Sequence, residues 1–226
     1  MEALVDSLCN QELHQEAVAV QKEMLEIEEK RAGTKKDERV LCLMDNICCN
    51  LSIAEKYQEA LPICREVFEL RQEHLGLENA GTIASMHNLG SVMVSLKQNA
   101  DAEPLLTKAL ALSKMVLGDR HEITVGCKQH LGMIFIEESR HEEGFFYLRD
   151  VLEWKRRYGG EEDLGTIRVM HDIGYVLNQL GRASEAEPLL RDAVRLRTKE
   201  LGTNHEHTQE SVKALSSALA KLGLSE

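Results

Sequence analysis

Nine His, six Cys and 38 acidic residues could in principle build a metal centre or an acid–base pair, so their spacing decides the matter. His205-Glu206-His207 has two imidazoles close together, yet no Cys is near in sequence, and a turn role is the better reading. Cys48 and Cys49 are vicinal, which on a helix aims them at different faces. Cys48 reads as a small core residue rather than as half of a redox pair. Acidic runs such as Glu161-Glu162-Asp163 fit a solvated loop better than paired general acids. Phosphate cradles of the GxxxxGK[ST] or GxGxxG type are missing, as are HExxH and GxSxG. No enzyme and no cofactor are expected.

Composition narrows the class further. The 226 residues carry 27 Lys plus Arg against 38 Asp plus Glu, a formal charge of −11, which weighs against nucleic acid as a partner. Apolar residues make up 43% and aromatics 4%, thin for a β-sandwich or an aromatic-lined pocket. No apolar run approaches the roughly 20 residues of a membrane helix, so no membrane insertion is expected. The opening Met1-Glu2-Ala3-Leu4-Val5-Asp6 lacks a basic start and apolar stretch. Cys9, Cys42, Cys48, Cys49, Cys64 and Cys127 show no CxxC pairs or framework spacing, so reduced thiols and a cytoplasmic location are the expectation.

The elements that position these groups come from an internal repeat. Thr82, Thr124, Thr166 and Thr208 are each 42 residues apart, and Cys48, Gly90, Gly132, Gly174 and Ser216 keep the same spacing. Ala17, Ala60, Ala102, Gly144 and Ala186 form a third series, closed by pairs such as Ala32-Gly33, Leu75-Gly76 and Leu201-Gly202. Within a unit the apolar spacing is helical: Leu105, Leu106, Ala109, Leu110 and Leu112 on one helix, Ile83, Met86, Leu89 and Met93 on its neighbour. Turns as short as Lys97-Gln98-Asn99 allow only antiparallel pairs.

Helices are predicted over 2–9, 12–31, 38–55, 58–73, 81–97, 100–116, 121–138, 141–157, 163–180, 184–199 and 206–222, about 11 in all. Gly90 with Ala102, Gly132 with Gly144 and Gly174 with Ala186 should mark where two helices of a hairpin approach closely. Gly inside a helix costs about 1 kcal/mol, which a packing gain must exceed. Pro62, Pro104 and Pro188 share one register, expected near a helix start. The terminating Gly should take a left-handed cap, and Thr, Asp or Asn should open the next helix.

The strings Leu117-Gly118-Asp119-Arg120-His121-Glu122-Ile123-Thr124 and Leu201-Gly202-Thr203-Asn204-His205-Glu206-His207-Thr208, with Asn88-Leu89-Gly90 and Glu103-Pro104-Leu105-Leu106, resemble the tetratricopeptide repeat. More narrowly they resemble the 42-residue kinesin-light-chain form. No heptad coiled coil precedes the repeats, and the helix-A Asn is kept at Asn46 and Asn88 but becomes His130 and Asp172. The resemblance implies an all-α, right-handed superhelical α-solenoid of antiparallel helix pairs. A single array over 1–226 would comprise a partial repeat (1–33), full repeats at 34–76, 77–118, 119–159 and 160–202, and a capping helix in 203–226. The resemblance also implies a binding module rather than an enzyme, with a protein or peptide ligand in a concave groove. The alternatives are a structural subunit docked permanently in a larger assembly and a regulatory domain of a longer signalling protein or enzyme.

Aligned to that pattern, the groove-facing candidates are Asp45, Asn46 and Cys49, then His87, Asn88 and Ser91, then Gln129, Met133 and Ile136. Arg168, His171, Tyr175 and Asn178 follow, with Lys213 from the last helix. Val94 joins Met133, Ile136 and Tyr175 as an apolar island. The Asn of this family can bond a ligand backbone or satisfy a neighbouring turn. Arg168, His171 and Lys213 could take a carboxylate or phosphate, or could simply balance local acid.

Six of the aromatics, Phe135, Phe145, Phe146, Tyr147, Trp154 and Tyr158, fall in one repeat. Trp154 aligns with leucines and should be core. Phe145 and Phe146 align with outward Glu and Pro positions, which implies either a second surface for self-association or local repacking around Gly144.

Overall fold

The computed structural model describes residues 1–11 and 13–224. Position 12, where the second helix is predicted to begin, and positions 225–226 of the last segment lie outside the described residues. The described chain is all-α. Its helices are α1 (Glu2–Asn10), α2 (His14–Ala32), α3 (Glu38–Ile53), α4 (Tyr57–Leu75), α5 (Ala80–Ser95), α6 (Asn99–Val116), α7 (Glu122–Glu137), α8 (His141–Tyr158), α9 (Leu164–Gln179), α10 (Ala183–Leu201) and α11 (Glu206–Leu222). Every predicted helix is present.

Two compact units are formed, Met1–Cys127 and Lys128–Glu226, with the border inside α7. In the first, packing runs from α1 to α2 to α3 and on to α6, with α3 also touching α5. In the second, α8 packs on α9 and α9 on α10, while α11 lies against both α10 and α9. Among the described residues the main helix contacts are thus between neighbours or next neighbours, as stacked hairpins require.

The small-residue positions are where the helices meet. A Cβ added to Gly90 would stand 2.6 Å from Leu106 Cγ, one at Gly132 2.8 Å from Leu148, and one at Gly174 2.6 Å from Leu190. The principal contact is therefore a leucine four residues beyond the expected small partner. Ala102 and Ala186 are nevertheless fully buried, and Gly132 and Gly144 face one another, since a Cβ on Gly144 would lie 3.4 Å from Gly132 O. In the second repeat the same positions are Cys48 and Cys64, both buried. The Cys48 thiol donates to Ala60 O at 3.8 Å, and the neighbouring Cys64 together with burial pushes its pKa up.

Several local expectations are corrected. Pro62, Pro104 and Pro188 are the sixth residues of α4, α6 and α10, in the second turn rather than the first. They are exposed, as are Gln58, Ala100 and Ser184, whose carbonyls lose the i+4 donor. Water can satisfy those carbonyls, which makes an interior proline tolerable. The series Thr82, Thr124, Thr166 and Thr208 is buried and does not cap. The expected Asp or Asn caps are present at Asp37, Asn79 and Asp163, and His205 caps α11, its Nδ1 accepting from the His207 N–H at 3.2 Å. Gly33 ends α2 in the left-handed conformation, but Gly159 after α8 stays right-handed and Gly160 takes the positive φ. Trp154 is only half-buried, its ring 4.9 Å from Tyr158, so it is not core.

Candidate functional site

A cleft of about 990 Å³ opens in the second unit. Its lining comes from α9 and α11, with the last turn of α7, the end of α10 and the loop before α11. The capped start of α9 and the Leu190–Gly174 contact hold α9 in place, and the face of α9 that turns away from α10 then lines the cleft. Six of the sequence candidates meet there: Ile136, Arg168, His171, Tyr175, Asn178 and Lys213. Leu164, Leu201 and Ala214 add apolar wall. Tyr175 is exposed and meets His141 edge-on at 6.3 Å. Asn178 is 2% exposed. It donates from Nδ2 to Ser217 Oγ at 3.0 Å, and its backbone carbonyl accepts from Lys221.

The polar floor holds groups the sequence did not single out as site residues. Arg197 is 5% exposed and donates from Nη1 to His207 O at 2.6 Å and Ser211 Oγ at 2.9 Å. The Ser211 hydroxyl also meets His171 Nδ1 at 3.1 Å. Burial, reinforced by Arg197, lowers the His171 pKa to about 4, so its imidazole is neutral near pH 7. Burial raises Asp172 to about 6 despite the opposing pull of Arg168 and Arg197. Glu210 is held low by its hydrogen bond to His207, 3.1 Å away. A signal for Arg197 did exist: Arg71 occupies the same place 126 residues, or three periods, earlier.

The remaining candidates do not reach that cleft. Gln129 and Met133 are half-buried on α7. In the first unit Asp45 is half-buried and ion-paired with Arg71. Burial nevertheless outweighs that arginine and raises the Asp45 pKa. His87 Nδ1 lies 3.3 Å from Asn88 Oδ1. Burial lowers the His87 pKa, and Gly126 leaves room for its ring, 2.5 Å from where a Cβ would sit. Ser91 is half-buried and Cys49 exposed. Asn46 lines a smaller, polar cleft of about 590 Å³ shared with Gln21, Arg31, Arg39 and Cys42. Val94 is 2% exposed and cannot serve as an apolar island of any groove, which corrects the expectation.

Phe145 and Phe146 part company. Phe145 is half-buried, with the Arg182 guanidinium 4.7 Å from its ring centroid, so local packing accounts for it. Phe146 is 57% exposed and edge-on to Tyr147 at 5.3 Å. Among the described residues no group of three His, Cys, Asp or Glu could hold a metal ion. Among them, too, no helix is long and apolar enough to cross a membrane.

Known proteins place this architecture. The tetratricopeptide repeat signature matches residues 39–115 and 124–199. A clustered mitochondria protein homolog of Culex quinquefasciatus is 25% identical over 158 residues, covering 70% of this chain and 12% of that protein. The chain thus spans about an eighth of the length of the curated relatives it matches. Among solved structures, the Podosopora anserina putative kinesin light chain nearly identical TPR-like repeats superpose with a TM-score of 0.66 at 19% identity, covering 84% of this chain and 89% of that one. The Rap conjugation gene regulator of plasmid pLS20, in complex with the Phr* peptide, gives a TM-score of 0.67 at 12% identity over 96% of this chain and 60% of its own. Repeat length, hairpin packing and signature agree, and the chain belongs to the tetratricopeptide repeat family.

Proposed function

We propose that this chain is a non-catalytic, cytoplasmic protein-interaction adaptor whose second unit holds a peptide segment of its partner in the cleft along α9 and α11. The observation that carries the reading is the composition of that cleft. Tyr175, Ile136 and Leu164 offer apolar contact beside Arg168, Lys213 and Asn178, the mixture of anchors and orienting polar groups that peptide grooves use. A structure of the same fold is described with a bound peptide, which supports the same use here. The overall charge of −11 favours protein over nucleic acid as the partner.

The test is affinity capture from cell extract followed by mass spectrometry, run with the parent chain and with a Tyr175→Ala/Lys213→Glu variant. Partners that the parent retains and the folded variant loses support the cleft. A partner set unchanged by the variant moves the binding surface elsewhere.

A further inference from the structure

The six cysteines are free thiols with no CxxC spacing, yet the fold brings two of them face to face. Cys48 on α3 and Cys64 on α4 are each 1% exposed. They stand at the hairpin crossing that Gly90 and Leu106, Gly132 and Leu148, and Gly174 and Leu190 occupy in the three repeats that follow. The Cys48 thiol points at α4, since its Sγ lies 3.8 Å from the carbonyl of Ala60, one helical turn before Cys64.

The sister crossings give the separation. A Cβ on Gly90 would stand 2.6 Å from Leu106 Cγ, and its third-nearest neighbour, Leu106 Cδ1, is 3.4 Å away. Leu106 Cβ is therefore beyond 3.4 Å and, being one C–C bond from Cγ, within about 4.1 Å. Gly174 and Leu190 give the same bounds, and Gly132 with Leu148 gives 3.6 Å and about 4.3 Å. Disulfides hold their Cβ atoms about 3.5–4.5 Å apart. Each crossing thus sets two side-chain roots at the distance a disulfide spans. Of these four crossings, the one in the second repeat carries sulfur at both positions.

The closed hairpin keeps an oxidant out. Thiols buried in apolar surroundings are unreactive, and the facing thiol together with burial holds Cys48 protonated. Reaction therefore requires α3 and α4 to part locally. Once they close again, the same packing shields the product from reductant.

We propose that Cys48 and Cys64 are a reversible modification site, which glutathione disulfide converts to an intrachain disulfide that staples α3 to α4. In the open hairpin the Cys48 thiolate attacks one sulfur of glutathione disulfide, forming a mixed disulfide and expelling one glutathione thiolate. The Cys64 thiolate then attacks Cys48 Sγ, and the second glutathione leaves as its thiolate. Two cysteine sulfurs are oxidised, the two glutathione sulfurs are reduced, and the two thiol protons pass to glutathione. The modification goes beyond the adaptor reading. It fixes the hairpin that carries the ion pair of Asp45 on α3 with Arg71 on α4.

The experiment equilibrates the full chain with glutathione disulfide without air, quenches with acid and alkylates the remaining thiols. In a Cys42→Ser/Cys49→Ser background, which changes two exposed thiols, tryptic peptides 40–56 and 57–65 keep one cysteine each, so their linkage identifies the pair. The linked peptide is expected, with its loss on dithiothreitol treatment. The oxidised chain should melt about 5–10 °C above the reduced one, because the staple closes a loop of 16 residues. Urea below the unfolding midpoint should speed linkage, since reaction passes through the open hairpin.

Cys48→Ser in the same background places at the crossing the residue type of Ser216. That variant should fold, form no linked peptide and melt at the same temperature with and without glutathione disulfide. Absence of the linked peptide at every urea concentration below the midpoint overturns the site. Arrest at the glutathione mixed disulfide, or an oxidised chain that melts no higher than the reduced one, overturns the staple.

Discussion

Cys48 and Cys64 occupy, in the second repeat, the positions that Gly90 and Leu106 occupy in the third. Both pairs are 16 residues apart and both sit at the crossing of a helical hairpin, buried from solvent. A glycine facing a leucine and two facing thiols are alternative ways to fill one narrow space. The equivalence implies that the volume at the crossing is shared between the two positions.

That sharing is open to a double-mutant cycle. Cys64→Leu alone should overpack the crossing and cost about 1–3 kcal/mol. Cys48→Gly in the same chain should relieve it, giving a coupling of about 1 kcal/mol or more in denaturant midpoints. Additive single effects would show that the two side chains do not share the space.

Gly174 tests the tightest crossing of the second unit. Gly174→Ala gains about 1 kcal/mol of helix propensity, but its Cβ would stand 2.6 Å from Leu190 Cγ. Net destabilisation of about 1–3 kcal/mol is expected, and Gly174→Leu should cost more. An unchanged unfolding midpoint in Gly174→Leu would remove Gly174 from the contact.

Turn geometry predicts a gain. Glu55, Lys97, Ser139 and Gly181 share one register between paired helices and all have positive φ, 60° at Ser139. The N–H that follows each bonds back to a carbonyl five residues earlier, as Arg140 does to Phe135 at 2.7 Å. Glycine relieves the Cβ strain of this conformation, so Ser139→Gly should raise stability by about 0.5–1 kcal/mol. A lowered melting temperature would contradict it.

Acid stability depends on two adjacent groups of opposite sign. His171, depressed to about 4 by burial, binds fewer protons folded than unfolded between that value and its ordinary pKa of about 6.5. Its contribution is present above pH 6.5 and is lost as pH falls toward 4. Asp172, raised to about 6 by burial, works the other way, and its contribution is lost as pH rises through 6. Arg168, Arg197, Glu210 and His207 act on one or both. Asp172→Asn should therefore leave the His171 effect exposed, with the denaturant midpoint rising from pH 4.5 to 6.5 more steeply than in the parent. A flatter profile in the variant would reverse the assignment.

Binding should depend on cleft contacts more than on the outer face. Tyr175→Ala is expected to weaken a captured peptide about tenfold, equivalent to about 1.4 kcal/mol. Glu185→Lys, on an exposed pair with Arg182, should change affinity less than twofold. Titration of both variants at two salt concentrations separates the effects. Loss of binding in Glu185→Lys alone would place the functional surface on the outside.

Much of the fold is legible in the sequence because its causes are local. The 42-residue spacing of Thr82, Thr124, Thr166 and Thr208, the helical spacing of Leu105, Leu106, Ala109 and Leu110, and the short turns depend only on periodicity and chain length. The same period located Ile136, Arg168, His171, Tyr175, Asn178 and Lys213 on faces that prove to line one cleft.

What tertiary structure alone decided is which of these groups are covered and which charges are matched. Val94 is buried, Trp154 is left half out, and Phe145 is tucked under Arg182, because burial depends on how closely neighbouring helices pack. Arg71 and Arg197 look equivalent in the repeat, yet of the two only Arg71 is directly ion-paired with carboxylates among the described residues. Its partners Asp45 and Glu38 lie 26 and 33 residues away in sequence. Electrostatic matching depends on distance and desolvation in space, and local periodicity carries neither.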